Sequence, residues 1–431
     1  MTQEEFAEKV GFQTATVQKW EQKTTAERPV KGRSAEALDT VYSYLDPAQR
    51  ERFWQQLAAA LPQTARHPVL SGTETAQSEP AEPGDDTLGT NAWKVDEDDV
   101  KRREFAKLAT AGVAVTLLAA SQERLDTSDV QRLLDGVDAL EQTDQIIGGA
   151  ELVDFAVEQL ARAENLLDTC AYNSVVGNAF TRATGELAVL AGWLAYDAHR
   201  HPLARRCFAD ALALGTEAND SDLVADTCLC AANQALALAR SGHGSPHKAL
   251  LLVERARDLM RGRPPGRIHA LIAVREAQSY GILGDRAAFG RAMATAWREM
   301  DHAAQFEPID QCPQWLRFMT HAEVGGHEAR GYGDIGDLAR SLDLYVAAAD
   351  RQVGTRNAVN LRAWSAATRA RMGDIHGALE ESRPVLTALM QVSSTRTLLV
   401  MDPIRVAVHQ LPIGSDFRDQ FDALTQKAIT T

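Results

Sequence analysis

Apolar residues recur at helical spacing from the start of the chain. Phe6, Ala7 and Val10 share one face of a helix over 3–10, with Thr2 as its N-cap and Glu5 completing a capping box. Gly11 stands where a helix C-terminus favours positive φ, and Phe12 can pin the turn. Val17 and Trp20 are the buried positions of a second helix over 13–22. Leu38, Val41, Tyr42 and Leu45 predict a helix over 34–45 capped by Ser34. Phe53, Trp54, Leu57 and Leu61 predict another over 47–61, opened by Pro47. There the pattern stops. The spacing divides the chain into a small helical domain (1–62), a Pro/Gly/Ser-rich linker (63–100), an apolar connecting helix (101–124) and a long helical region (125–431).

Within 125–431, Gly and Pro punctuate the helical pattern at intervals. Gly373-Asp374 reads as a helix stop and turn, followed by Ala378 at a tight contact; Gly284-Asp285 and Gly333-Asp334 repeat the turn. His199-Arg200 before Ala204 and Gly244-Ser245 before Ala249 take the same role less ideally. The contact positions fall at 204, 249, 289, 338 and 378, with Phe289 and Leu338 replacing alanine, and the steps are 45, 40, 49 and 40 residues. The segments GELAVLAGWLAYDAHRHPLARRCFADALALG and RMGDIHGALEESRPVL resemble degenerate tetratricopeptide (TPR) units, with helices or loops longer than the ideal 34-residue repeat. The fold expected is therefore all-α: a helix-turn-helix domain, then an α-solenoid of TPR-like hairpins. An irregular helical bundle is the alternative.

Composition supports helices: 45% of residues are apolar but only 6% aromatic, and the formal net charge is −14. That sign argues against indiscriminate nucleic-acid binding by the whole surface. Its distribution is uneven. Residues 1–66 balance nine basic against nine acidic residues, whereas 67–99 hold one against nine. Lys19, Lys23, Arg28, Lys31 and Arg33 face only Glu21 and Glu27, an excess beside the second helix where phosphates would lie. A solvated charged loop explains the same residues equally well. The five cysteines show no zinc-site spacing and read as buried thiols in a reducing cytosol. Lys101-Arg102-Arg103 before an apolar run looks like a twin-arginine signal, but its position after a domain and a linker favours a buried connecting helix. No apolar run is long enough to cross a membrane. No catalytic motif appears, so neither enzyme activity, cofactor nor metal is expected.

The face of helix 13–22 opposite Val17 and Trp20 carries Thr14, Ala15, Gln18, Lys19 and Gln22. Small and amide side chains with a lysine suit the floor of a major groove; a plain amphipathic hairpin is the bland alternative. TQEEFAEKVG…TATVQKWEQ resembles the Cro/repressor-type (XRE) helix-turn-helix family over about twenty residues. Two departures stand out. Family members place another helix ahead of this segment, so with Met1 directly before Thr2 the first helix is expected to be missing. Gln13 also stands where the family places a serine N-cap.

For the whole chain the architecture is similar to actinobacterial XRE-type regulators with a TPR-like C-terminal region. The resemblance implies a cytoplasmic, sequence-specific transcriptional regulator of double-stranded DNA, acting as a homodimer. It places Gln18 and Thr14 at base edges, with Gln13 opening the same helix. Lys19, Lys23, Lys31 and Arg33 lie at the backbone, and the helix end near Gln3 grips a phosphate. Projecting the turns back puts Trp193, Tyr196, Asn233, Gln234, Arg275, Gln278, His327, Asn360 and Trp364, with Glu186 and Glu323, on a concave effector groove for a peptide, small molecule or protein. The competing reading is an interaction protein that does not bind DNA, a scaffold or an antagonist of other regulators.

Overall fold

The computed structural model describes residues 123–350 and 356–430. The expected helix-turn-helix domain, the linker and almost all of the connecting helix lie outside the described residues. So do Gln3, Gln13, Thr14, Gln18, Lys19, Lys23, Lys31 and Arg33.

The described residues are helical, without a β-strand; the only extended pairing among them is a bridge between Arg124 and Ala171. Two helices open the region, α1 (Thr127–Ile147) and α2 (Val153–Thr169). Asp126 caps α1 in a reciprocal box with Asp129. Five hairpins follow. They are α3 (Ser174–Asp197) with α4 (His201–Glu217), α5 (Ser221–Arg240) with α6 (Pro246–Leu259), and α7 (Arg267–Leu283) with α8 (Arg286–Phe306). Then come α9 (His321–Ile335) with α10 (Leu338–Asp350), and α11 (Arg356–Arg371) with α12 (Ile375–Leu389). Short helices α13 (Thr395–Leu399) and α14 (Asp402–Ala407) lead to α15 (Ser415–Thr430). Among the described residues no helix is long and apolar enough to cross a membrane.

Each hairpin packs its two helices together, and successive hairpins stack. The first helices touch in order, α3 to α5 to α7 to α9 to α11, and each second helix also meets the first helix of the next pair. Small residues allow the close approach. Ala204, Ala249 and Ala378 are fully buried at the expected contact positions, and Phe289 fills the third. Where α7 crosses α9 two glycines meet: a Cβ on Gly281 would sit 3.3 Å from the Cα of Gly331.

Local chemistry sets the turns. Asp220, Asp285 and Asp374 cap α5, α8 and α12 through their side chains, and Gly284 ends α7 in the left-handed region. One expected turn is corrected. Gly333-Asp334 is not a helix stop: α9 runs one turn further, to Ile335, and ends at Gly336 with φ 92°. Two Gly-Asp pairs stand three residues apart there, and the second carries the left-handed residue, with Asp337 Oδ1 accepting from Arg340 N. The tight contact moves with it, from half-buried Leu338 to fully buried Ser341. The long steps come from helix length, 20 residues in α5 and 21 in α8. The step from 289 also comes from an insertion between α8 and α9 that holds a 3-10 turn at Gln314–Leu316.

The end of the described region returns to its beginning. Ser393 N donates to Ile147 O (2.8 Å), Ser394 Oγ to Asp197 Oδ1 (2.9 Å), and Arg396 Nε to the same oxygen (3.0 Å). Lys427 pairs with Glu151 at 3.6 Å. The segment after the fifth hairpin thus clasps the C-terminal end of α3, and α13 packs against α3.

Candidate functional site

The row of first helices presents its polar residues inward, where they bond to one another. On α5 and α9, Arg240 grips Asp334 through Nε and Nη2 at 2.9–3.1 Å. This bidentate pair holds the second hairpin to the fourth. On α7, Arg275 donates through Nη1 to Gln278 Oε1 (3.0 Å) and points toward His327 Nε2 on α9 at 3.4 Å. His327 Nε2 lies 3.1 Å from Glu323 Oε1, one helical turn earlier. Glu323 Oε2 accepts from Asn357 Nδ2 of α11 at 3.2 Å. Next along α9, Arg330 lies 4.6 Å over the Trp364 ring and reaches Asn360 Oδ1 at 3.5 Å. Asn360 Nδ2 continues to Thr397 Oγ1 (3.1 Å), and Thr397 to Ser394 (3.0 Å), which ends on Asp197. Arg396 covers Trp193 and Tyr196 at 5.4 and 5.5 Å. A chain of polar contacts therefore runs from the third hairpin through the fourth and fifth to the clasp on the first.

Burial dominates the electrostatics here. Desolvation drives the His327 imidazole down to about 4, against the pull of Glu323, so the ring is neutral at neutral pH. Burial alone would raise the Glu323 carboxyl, but the His327 hydrogen bond and nearby arginines hold it below its ordinary value. The Arg275 guanidinium, buried without an ion-pair partner, falls to about 10. Leaving a buried charge unpaired costs several kcal/mol.

A second cluster, on α1, α3 and α5, is acidic. Burial raises Asp226 to about 8 and Glu141 to about 7, and Glu186 rises with them. Cys230 Sγ lies 3.5 Å from Asp226 Oδ1, and Gln314 Nε2 donates to Glu141 Oε2 at 2.7 Å. These carboxyls keep their protons in the folded protein to higher pH than in the unfolded chain. Their contribution is complete below about pH 4 and is lost as pH climbs toward about 8. Asp226→Asn removes one titration, so its thermal stability should fall less across that window, by about 1–2 kcal/mol. Melting curves from pH 5 to pH 8, roughly the span where the two states differ, check this. Parallel profiles for parent and variant would refute it.

The residues expected in the effector groove do lie along the first helices, but mostly buried. Tyr196, Asn233, Gln234, Arg275, Gln278 and His327 are buried; Trp193, Asn360 and Trp364 are half-buried. Arg275, Gln278 and His327 come together, as do Trp193 and Tyr196, which meet edge to face at 5.7 Å. Gln234 is not with them: its Nε2 donates to His201 O (2.9 Å), tying α5 to the preceding turn. Of the five thiols expected to be buried, Cys207, Cys228 and Cys312 are, while Cys170 and Cys230 are half-buried.

Several residues of the network went unread in the sequence. Glu323, His327, Arg330 and Asp334 follow one another at helical spacing, a signal that was present for Arg330 and Asp334. Asp197, Ser394 and Arg396 carry no such signal, because they meet across nearly 200 positions, and Thr397 meets Asn360 from another hairpin 37 positions away. Compared with models of protein families, with curated proteins and with solved structures, the chain matches none.

Proposed function

We propose that this protein is a sequence-specific, DNA-binding transcriptional regulator. In this reading its helical-repeat region, TPR-like in its serial hairpins, dimerises, binds an effector, or does both. The observation that carries it is the segment 2–22, whose capping box, turn glycine and Val17/Trp20 spacing leave Thr14, Gln18 and Lys19 on the opposite face. Those are groups that read base edges and approach phosphates. The stacked hairpins support the effector half, since such stacks bind partners along their first helices. A ligand there acts by favouring one arrangement of the hairpins over another, and so one arrangement of the DNA-binding heads.

Capture of genomic DNA by the full chain at two salt concentrations tests this. Recovery of a few sites sharing a palindromic motif is the expected result; recovery of nothing above background overturns it. Gln18→Ala should relax sequence preference by about 1–3 kcal/mol at one base position. Lys23→Ala should weaken binding to all sequences alike and reduce the salt slope by about 1. A Gln18→Ala protein with the parent's preference would exclude helix 13–22 as the reading element.

A further inference from the structure

Among the described residues, two guanidinium groups inside the row of first helices have no carboxylate of their own. Arg275 is 5% exposed, and its side-chain hydrogen bond among the described residues, to Gln278 Oε1, leaves from Nη1; the same Nη1 lies 3.4 Å from His327 Nε2, which donates to Glu323 and does not accept from it. Arg275 Nε, on the other edge of the planar fork, is buried without a hydrogen-bond partner. Arg330 Nε is in the same position. The neighbouring arginines are paired, Arg240 with Asp334 and Arg396 with Asp197. Glu323 acts on both Arg275 and Arg330, but its two oxygens are already held by His327 and Asn357. With a neutral imidazole, two cations share one anion.

The unused hydrogen-bonding groups are also of mixed kind. Gln278 Nε2, on a side chain with no exposure, is a donor without a partner. His327 Nδ1 is buried and unpartnered as well. Glu323 fixes the tautomer: with the proton on Nε2 facing its carboxylate, Nδ1 presents a lone pair. Half-buried Arg330, Asn360 and Trp364 form the more accessible side of this cluster.

We propose that Arg275, Gln278, His327 and Arg330 form a binding site for a compact ligand bearing a carboxylate. The carboxylate takes the Nε edge of Arg275, the side-on arrangement in which a guanidinium holds two oxygens, with Gln278 Nε2 as a further donor. Arg330 supplies charge from the adjoining position. His327 Nδ1 accepts from a hydroxyl or N–H next to the carboxylate. A single excess positive charge matches a carboxylate better than a phosphate dianion. The unpartnered atoms of Arg275, Gln278 and His327 belong to side chains in mutual contact, which suits one small group rather than a long extended chain. This site rests on the effector half of the proposed function and is independent of the DNA-binding half.

The test is titration of the full-length protein, followed by calorimetry and thermal melting at fixed ionic strength, with sodium chloride as the matched control. The probes are lactate, propionate, inorganic phosphate, and a dipeptide in free-acid and C-terminally amidated forms. Saturable stabilisation by lactate, by the free-acid dipeptide or by both is the expected result; which of them responds separates a free organic acid from a peptide terminus. Propionate, lacking the hydroxyl, should bind roughly tenfold more weakly than lactate. Arg275→Met should abolish the response and melt higher than the parent without ligand, because an unpaired buried charge has been replaced by an apolar chain. Gln278→Met, which leaves the charge unchanged, should weaken binding by roughly tenfold. No saturable response of the parent to any carboxylate overturns the site, as does a response matched by chloride or by phosphate. Binding of DNA by the same preparation is read in parallel. A protein that binds DNA but no carboxylate loses this site and keeps the regulatory reading.

Discussion

Asp197→Ala should lower stability by about 3–5 kcal/mol, the range for removing one partner of a buried ion pair. The Asp197 side chain is fully buried at the end of α3, and it anchors both Ser394 and Arg396 of the segment that follows the fifth hairpin. Its loss leaves the Arg396 guanidinium over Trp193 and Tyr196 without its carboxylate, and Ser394 Oγ without that acceptor. For a domain of this size the melting temperature should fall by roughly 5–8 °C. Because stacked hairpins interact mainly with their neighbours, the clasp and fifth hairpin should melt first, as a separate transition in calorimetry. Adding Arg396→Met should recover part of the loss, since the orphaned charge is then gone. A melting curve for Asp197→Ala within about 1 °C of the parent would exclude the clasp as a stabilising contact.

Gly148→Ala attacks the same junction by steric means. Gly148 has φ 88°, and a Cβ built there falls on the backbone carbonyl of Ser393. Neither problem relaxes cheaply. The conformation is one that L side chains rarely adopt, and the obstacle is main chain held by the Ser393–Ile147 hydrogen bond rather than a flexible side-chain end. Strain and displacement together should cost about 3 kcal/mol or more. Hydrogen exchange should show faster opening of 391–400 than of α7 and α9. Since Gly148 and Asp197 stabilise one docking event, combining Gly148→Ala with Asp197→Ala should cost less than the sum of the two. Strict additivity would mean that the two contacts form independently.

Together the two variants bear on how the inner face is held. The polar chain from Arg275 through Asn360 to Asp197 spans the last three hairpins and the clasp. Opening the clasp frees its far end. Carboxylate titrations repeated on Asp197→Ala would show how far the proposed ligand site depends on that closure.

What the sequence determined by itself is the local structure. Aspartates before apolar runs became helix caps at Asp285 and Asp374, and Gly284 became a left-handed stop. Alanines five residues past the turns became the tight contacts at Ala204, Ala249 and Ala378. These features depend on a residue and its neighbours within a turn or two, so spacing alone reveals them. The choice between Gly333 and Gly336 as the stop for α9 was not local in this sense. Both pairs carry the right chemistry, and packing of Gly331 against Phe289 and Gly281, and of Gly333 against Ser341 and Arg371, keeps both glycines inside the helix. Spacing also placed Arg275, Gln278 and His327 on one side of the stack, but not whether that side is open or filled. The tertiary structure decided that they are buried, and that Gln234 turns away to a backbone carbonyl. It also decided which arginines gain an ion pair of their own: Arg240 and Arg396 do, through partners 94 and 199 residues distant, whereas among the described residues Arg275 and Arg330 share the field of Glu323. Charge pairing over such separations leaves no periodic trace along a chain, because it depends on which helix ends meet once the hairpins have stacked.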